Sequence, residues 1–334
     1  MSISSENFKI QCFLTSLCIV IFLIKLSAFF LTNSVAILTD TLEYTVNIIG
    51  AFLGLYSLYL ASQPSDLNHP YGHGKIEFIS AAIEGMMMVI ASLFMIVKAA
   101  YLLKSPSEIS QLEWGIALFI LSTIMNFIFG FYAMRKGEKN RSLALIATGK
   151  HMQSDSYTTL GILIGLFLLR YTQLSMIDSL TAIVFSCITL WAGYKILRDA
   201  IAGIMDEADH HLLKEFVEKL EAHRFPTWID IHNLRIIKYG AKLHLDCHLT
   251  VPWYLNVHEA HLEIDRLTQF SKENFGDIIE LFVHTDGCLP FSCAICHYAD
   301  CQKRQHSFIK KIKWDFKNIT CNTKHTLDTP TVNS

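Results

Sequence analysis

Charge is scarce in this chain. Only 17% of its 334 residues are Asp, Glu, Lys or Arg, against about 25% in a typical soluble domain. The shortage is uneven. Residues 1–205 hold 13 Lys/Arg and 12 Asp/Glu, or 25 charges; residues 206–334 hold the other 15 and 18, or 33, in a shorter stretch. This pattern excludes a wholly soluble enzyme, a disordered chain and a secreted disulfide scaffold. A basic excess is also missing: the net charge of −2 does not suit a nucleic-acid binder. Histidine is sparse where the chain is most apolar. Only His69, His73 and His151 precede residue 206, and twelve follow it. No His-Glu-x-x-His stretch occurs, which argues against an intramembrane metalloprotease.

What is present are long apolar runs, at about 10–31, 34–61, 78–103, 112–134, 143–169 and 177–204. Each exceeds the roughly 20 residues needed to cross a bilayer as a helix. They predict a six-helix polytopic membrane domain over 1–205. The first run has no basic segment before it beyond Lys9 and a second run follows at once, so it is not expected to be a cleaved leader. Arg135, Lys136, Lys139 and Arg141 fill one connecting loop and Lys75 another, while the opposite side holds only Lys104 and Arg170. The positive-inside rule then places both termini in the cytoplasm, and the expected location is the cytoplasmic (inner) membrane if the source is bacterial.

Residues 206–290 read as a cytosolic α+β domain of order αββαβ, ferredoxin-like in outline. Leu212, Leu213, Phe216, Val217 and Leu220 form one helical stripe, closed by Pro226. Leu243, Leu245, Cys247 and Leu249 alternate with His244, Asp246 and His248, the period of a strand. A helix over 257–274 and a strand over 277–284 follow. Residues 291–334 read as a cysteine-containing segment and a loosely ordered polar tail.

Ionisable groups inside a membrane helix cost roughly 2.5–3.5 kcal/mol each, so each points to function. Glu43 and Asn47 lie four apart in the second run, and His151 and Asp155 four apart in the fifth. Each pair shares a helical face, and together they offer four ligands to one borderline divalent cation. The bland alternative is interhelical hydrogen bonding. In the 62–77 loop, Asp66, His69 and His73 are candidates for a second metal, with Gly72 and Gly74 easing the turn. Solvated or helix-capping loop residues are the plain alternative there. Nine cysteines in a protein with a cytosolic soluble part are not expected to form disulfides. Cys288, Cys293, Cys296 and Cys301 include one Cys-x2-Cys step and suit a thiolate zinc site, against the alternative of a reduced, metal-free segment.

The run His69-Pro-Tyr-Gly-His-Gly-Lys-Ile-Glu77 resembles a signature of the cation diffusion facilitator family. Ser34-Val-Ala-Ile-Leu-Thr-Asp40 and His151-Met-Gln-Ser-Asp155 are similar to its second and fifth spans. The resemblance covers about residues 10–290. It implies no enzyme but a homodimeric exporter of divalent metal, driven by proton antiport and alternating access. Zn²⁺ is the first expectation, with Fe²⁺, Mn²⁺, Co²⁺ or Cd²⁺ as alternatives, acting as substrate and as bound regulator. Partners are then a second copy, metal ions, protons and the bilayer, with no nucleic acid.

By position, the resemblance implies a transport site of Glu43, Asn47, His151 and Asp155 and a loop site of Asp66, His69 and His73. It also implies a cytosolic site among His248, His261, His284 and Asp286, with His244, Asp246 and His258 nearby. One departure stands out. The family's second-span pair is usually two carboxylates or a histidine and a carboxylate, and Asn47 is a neutral amide. The alternative function is a membrane-anchored metal sensor that no longer transports.

Overall fold

In the computed structural model, the described residues are 3–32, 35–102, 113–172, 176–240, 242–276 and 278–328. The chain divides into two compact units, Met1–Met205 and Asp206–Ser334.

The first unit is six helices of 27 to 30 residues: α1 (Ile3–Thr32), α2 (Val35–Ala61), α3 (Ile76–Leu102), α4 (Glu113–Asn140), α5 (Leu143–Thr172) and α6 (Met176–Ile204). Among the described residues, Glu6–Ser27 and Ile76–Tyr101 are long and apolar enough to cross a bilayer by composition. Polarity is inverted relative to a soluble bundle. Phe94, Val97 and Trp191 face outward, while Asn7, Gln11, Glu84 and Asn126 are buried. Buried polar groups need partners, and here they join helices. Gln11 and Thr15 on α1 both donate to the Ala51 carbonyl of α2 at 3.2 Å, and Tyr44 on α2 donates to Asn126 on α4 at 3.2 Å. α1 starts well before the expected residue 10, and its first turns are tied to α4, where Lys136 donates to Glu6 at 2.9 Å and Asn140 to Asn7 at 2.6 Å.

Two close approaches set the helix pairing. A Cβ on Gly149 would stand 2.7 Å from the Gly130 carbonyl, so α4 and α5 meet backbone to backbone. A Cβ on Gly85 would stand 2.9 Å from the Leu197 nitrogen, which locks α3 against α6 in the same way.

The second unit follows the expected αββαβ order: α7 (His210–Ala222), β1 (Asp230–Tyr239), β2 (Lys242–Val251), α8 (Val257–Phe275) and β3 (Ile279–Gly287). The sheet order is β1-β2-β3, antiparallel then parallel. Asp209 caps α7 through the Leu212 N–H, and Asn256 with Glu259 forms a capping box on α8. The predicted stripe of α7 is its buried face, and Leu243, Leu245, Cys247 and Leu249 of β2 meet it in the core. Truncating a buried leucine such as Leu245 removes about 2–5 kcal/mol.

The polar tail departs from expectation. A 3-10 turn (Pro290–Ala294) and a short helix α9 (Phe316–Ile319) pack on the domain. Trp314 and Ile319 enter its core. The Arg224 guanidinium lies 3.7 Å from the centre of the Trp314 ring and donates to the Ile312 carbonyl at 2.8 Å. Apolar anchors and the Arg224 contacts together hold this lysine-rich stretch on the domain, although the anchors barely change its composition.

Candidate metal centres

The first centre is assembled by α2, α3 and α5. Asn47 accepts at Oδ1 from His151 Nε2, 3.0 Å away, and its amide nitrogen donates to Asp155 Oδ2. His151 Nε2 is 3.8 Å from Asp155 Oδ1. Three of the four expected ligands therefore converge. The fourth, Glu43, lies in α2 but its side chain is outside the described residues, as is that of Asp40. A residue not anticipated from the sequence joins them. Glu84 of α3 is buried, with Oε1 3.4 Å from His151 Nδ1 and Oε2 accepting from Thr148 at 3.3 Å. A lone carboxylate in an apolar run was its one available signal.

The second centre is the loop before α3. Asp66, His69 and His73 bring ligand atoms within 4.8 Å of one another. Asp66 is 3.1 Å from His69 Nδ1 and 3.5 Å from His73 Nε2. The backbone N–H groups of Asn68 and His69 donate to the same carboxylate. The His69 N–H bond is the main cause that holds Asp66 below the usual carboxylate range. Gly72 turns the chain here at φ +85°, a conformation that suits a residue without a Cβ.

The third centre is a row across the soluble sheet. Pairing sets His232 of β1 opposite His248 of β2, and His248 opposite His284 of β3. Adjacent strands lie about 4.8 Å apart, so the rings fall side by side. Asp286 sits two residues beyond His284, with Oδ2 3.2 Å from His248 Nδ1 and 3.6 Å from His232 Nε2. His232, His248 and Asp286 form the second group whose ligand atoms lie within 4.8 Å.

His284 is 3.7 Å from Asp286, and its ring lies tilted against that of His248 with centroids 4.6 Å apart. His261 is exposed on α8 beside Asp265 and is not brought to this row. Of the nearby alternatives, His244 is buried beside Glu280 at 3.2 Å, and His258 is exposed on α8. His232 was missed in the sequence because only strand pairing, across an irregularity between His232 and Arg235, aligns it with His248.

Behind His232 stands a second layer. Asp230 is 3.3 Å from His232 Nδ1 and is also paired with the ring of His325 from the tail. Burial pushes the Asp230 carboxyl up, but the His232 and His325 contacts outweigh it and hold it well below the usual range. Burial likewise depresses His325, and Asp230 outweighs it, so His325 is raised.

Cys288, Cys293, Cys296 and Cys301 are all free and line one cavity of about 310 Å³. Arg304 ties the loop by donating to the carbonyls of Cys293, Cys296 and Tyr298 at 2.7–3.1 Å. The Gln305 N–H points at Cys293 Sγ, 3.5 Å away. Burial raises the thiols of Cys288 and Cys296. The cysteines are not among the groups with ligand atoms within 4.8 Å of one another.

Residues 13–205 match the cation efflux transmembrane domain family, and residues 199–288 match the cytoplasmic domain of cation efflux proteins. The chain is 31% identical over 238 residues to an uncharacterized transporter of Synechocystis, covering 71% of this chain and 77% of that one. It is 26% identical over 277 residues to the cation-efflux pump FieF of Serratia proteamaculans, covering 82% and 90%. It is 24% identical over 263 residues to the manganese efflux system protein MneP of Bacillus subtilis, covering 76% and 87%. The tail beyond residue 288 lies outside both domain matches. With its spans and soluble domain both matched in order, this chain belongs to the cation diffusion facilitator family, whose members are membrane transporters of divalent metal and not enzymes.

Proposed function

We propose that the chain exports divalent metal from the cytosol in exchange for protons. It acts as a homodimer of six-span protomers with both termini cytoplasmic. The observation that carries this reading is the hydrogen-bonded set of Asn47, His151 and Asp155 between α2 and α5. One imidazole nitrogen with carboxylate and amide oxygens suits Zn²⁺, and it suits Fe²⁺ and Mn²⁺ better than a site with more nitrogen would.

The pattern of bonds also supports proton exchange. Asn47 turns its NH₂ to Asp155 and its carbonyl oxygen to His151 Nε2, while Glu84 faces Nδ1. Both ring nitrogens thus face acceptors, which only the doubly protonated ring can satisfy. A metal ion needs the Nε2 lone pair, so its entry expels that proton. Rocking of the helices then exposes the site outward, and reprotonation of His151 releases the ion. Glu43 completes the ligand set in this reading.

Asp66, His69 and His73 would hold a second ion. His232, His248 and Asp286 would hold a regulatory ion, with His284 beside them and His261 reaching such a site only in another arrangement. Metal at that row would tighten the dimer and bias the cycle when metal is abundant. The cysteine pocket would take a thiolate-bound ion, its sulfurs closing as the metal binds.

The test is metal-dependent proton flux in proteoliposomes across Zn²⁺, Fe²⁺, Mn²⁺, Co²⁺ and Cd²⁺. Asp155→Ala abolishes flux for every ion if the reading holds, and undiminished flux overturns it. Metal-induced dimer tightening in a wild type without flux selects the sensing role instead.

A further inference from the structure

We propose that Glu84 is a positioning residue of the transport site. It holds His151 by Nδ1, and it supplies from α3 the negative charge that Asn47 does not carry. This rests on the reading of His151 and Asp155 as transport ligands.

Glu84 is only 4% exposed, inside an apolar helix where a carboxylate is costly. Its two oxygens are both used on α5: Oε1 stands 3.4 Å from His151 Nδ1, and Oε2 accepts from Thr148, three residues earlier on the same face. The neighbouring Gly85 lies against the backbone of α6, where a Cβ would stand 2.9 Å from the Leu197 nitrogen, so α3 is held close to α6 at this level.

The two ring nitrogens of His151 point in different directions. Nε2 faces Asn47 and Asp155, and Nδ1 faces Glu84. Glu84 is therefore behind the ring and does not share the ion. A carboxylate on the remote nitrogen keeps the proton there, so that loss of the Nε2 proton on metal entry frees the Nε2 lone pair, and it raises the basicity of that nitrogen. It also restores the carboxylate count. Asp155 and Glu84 make two, the number that Asp155 and an aspartate at position 47 would give.

The experiment uses the full-length protein in proteoliposomes, with Zn²⁺ and Mn²⁺ as probes. Thermal unfolding in detergent verifies that each variant is folded. Outer carboxylate partners of metal-bound histidines are worth roughly 10–100-fold in affinity. Glu84→Gln is expected to raise KM by that factor while Glu84→Asp stays close to wild type. The double variant Asn47→Asp with Glu84→Gln is expected to regain most of the lost affinity.

A Glu84→Gln protein with unchanged KM overturns the proposal, as does a loss that the double variant does not repair. Asp155→Ala runs alongside. Flux that survives it overturns the transport site itself, and flux lost in Asp155→Ala but intact in Glu84→Gln overturns only the role of Glu84.

Discussion

The Nζ of Lys324 stands 3.5 Å from Oδ1 of Asp286 and donates to the Gly287 carbonyl at 3.0 Å. A segment outside both domain matches thus brings a fixed cation to a carboxylate of the His232, His248 and Asp286 row. An ion arriving at that row meets a like charge.

Lys324→Met is expected to tighten metal binding at this row by about fivefold, the worth of a partly exposed ion pair of ~1 kcal/mol. Calorimetric titration of the full-length protein with Zn²⁺ measures it. Equal affinity in variant and wild type rejects the competition.

Docking of the tail should depend on pH through His325 and Asp230. The raised His325 contributes fully below its unfolded value of ~6.5, and its contribution is lost as pH rises through the folded value. The lowered Asp230 contributes above ~3.9 and loses its effect as pH falls through its folded value. Docking is therefore strongest between those limits and weakens in alkali. Fluorescence of the buried Trp314 follows it, and His325→Asn should flatten the alkaline limb. Asp230→Asn removes the buried carboxylate shared by His232 and His325 and should destabilise the unit by about 3–5 kcal/mol.

Replacing Cys288, Cys293, Cys296 and Cys301 together by serine should remove one equivalent of zinc from protein purified under reducing conditions. Elemental analysis gives the answer directly. Equal zinc in both proteins means that the pocket holds none.

Asn47→Asp adds a carboxylate to the transport ligands and should shift relative rates toward Zn²⁺ by several-fold over Mn²⁺. Proton-coupled uptake across the metal panel is the measurement. If the order of metals is unmoved, Asn47 is not a ligand.

Much was readable from local pattern. Apolar length marked the helices, because a bilayer sets a minimum run. Alternation in 243–249 marked β2, since a half-buried strand must repeat every two residues. The i, i+4 spacing of His151 and Asp155 marked a shared face on α5. Glu84 escaped because nothing local says that α3 lies against α5 at that level. His232 escaped because its place beside His248 depends on strand register through an irregular pair. The tail escaped because Trp314 and Ile319 dock against a core built from distant residues.

The amino-acid sequence by itself determined the order of helices and strands up to β3, the charge-poor and charge-rich halves, and most of the residue types available to each candidate centre. Those follow from solvent preference and backbone periodicity, which act over a few residues. Only the tertiary structure decided that Glu84 stands behind His151, that His232 rather than His261 joins His248 and Asp286, and that Lys324 reaches that carboxylate. Such contacts link residues 16 to 67 or more positions apart, as 232 to 248 and 84 to 151 do, and helix packing and strand register alone bring them together.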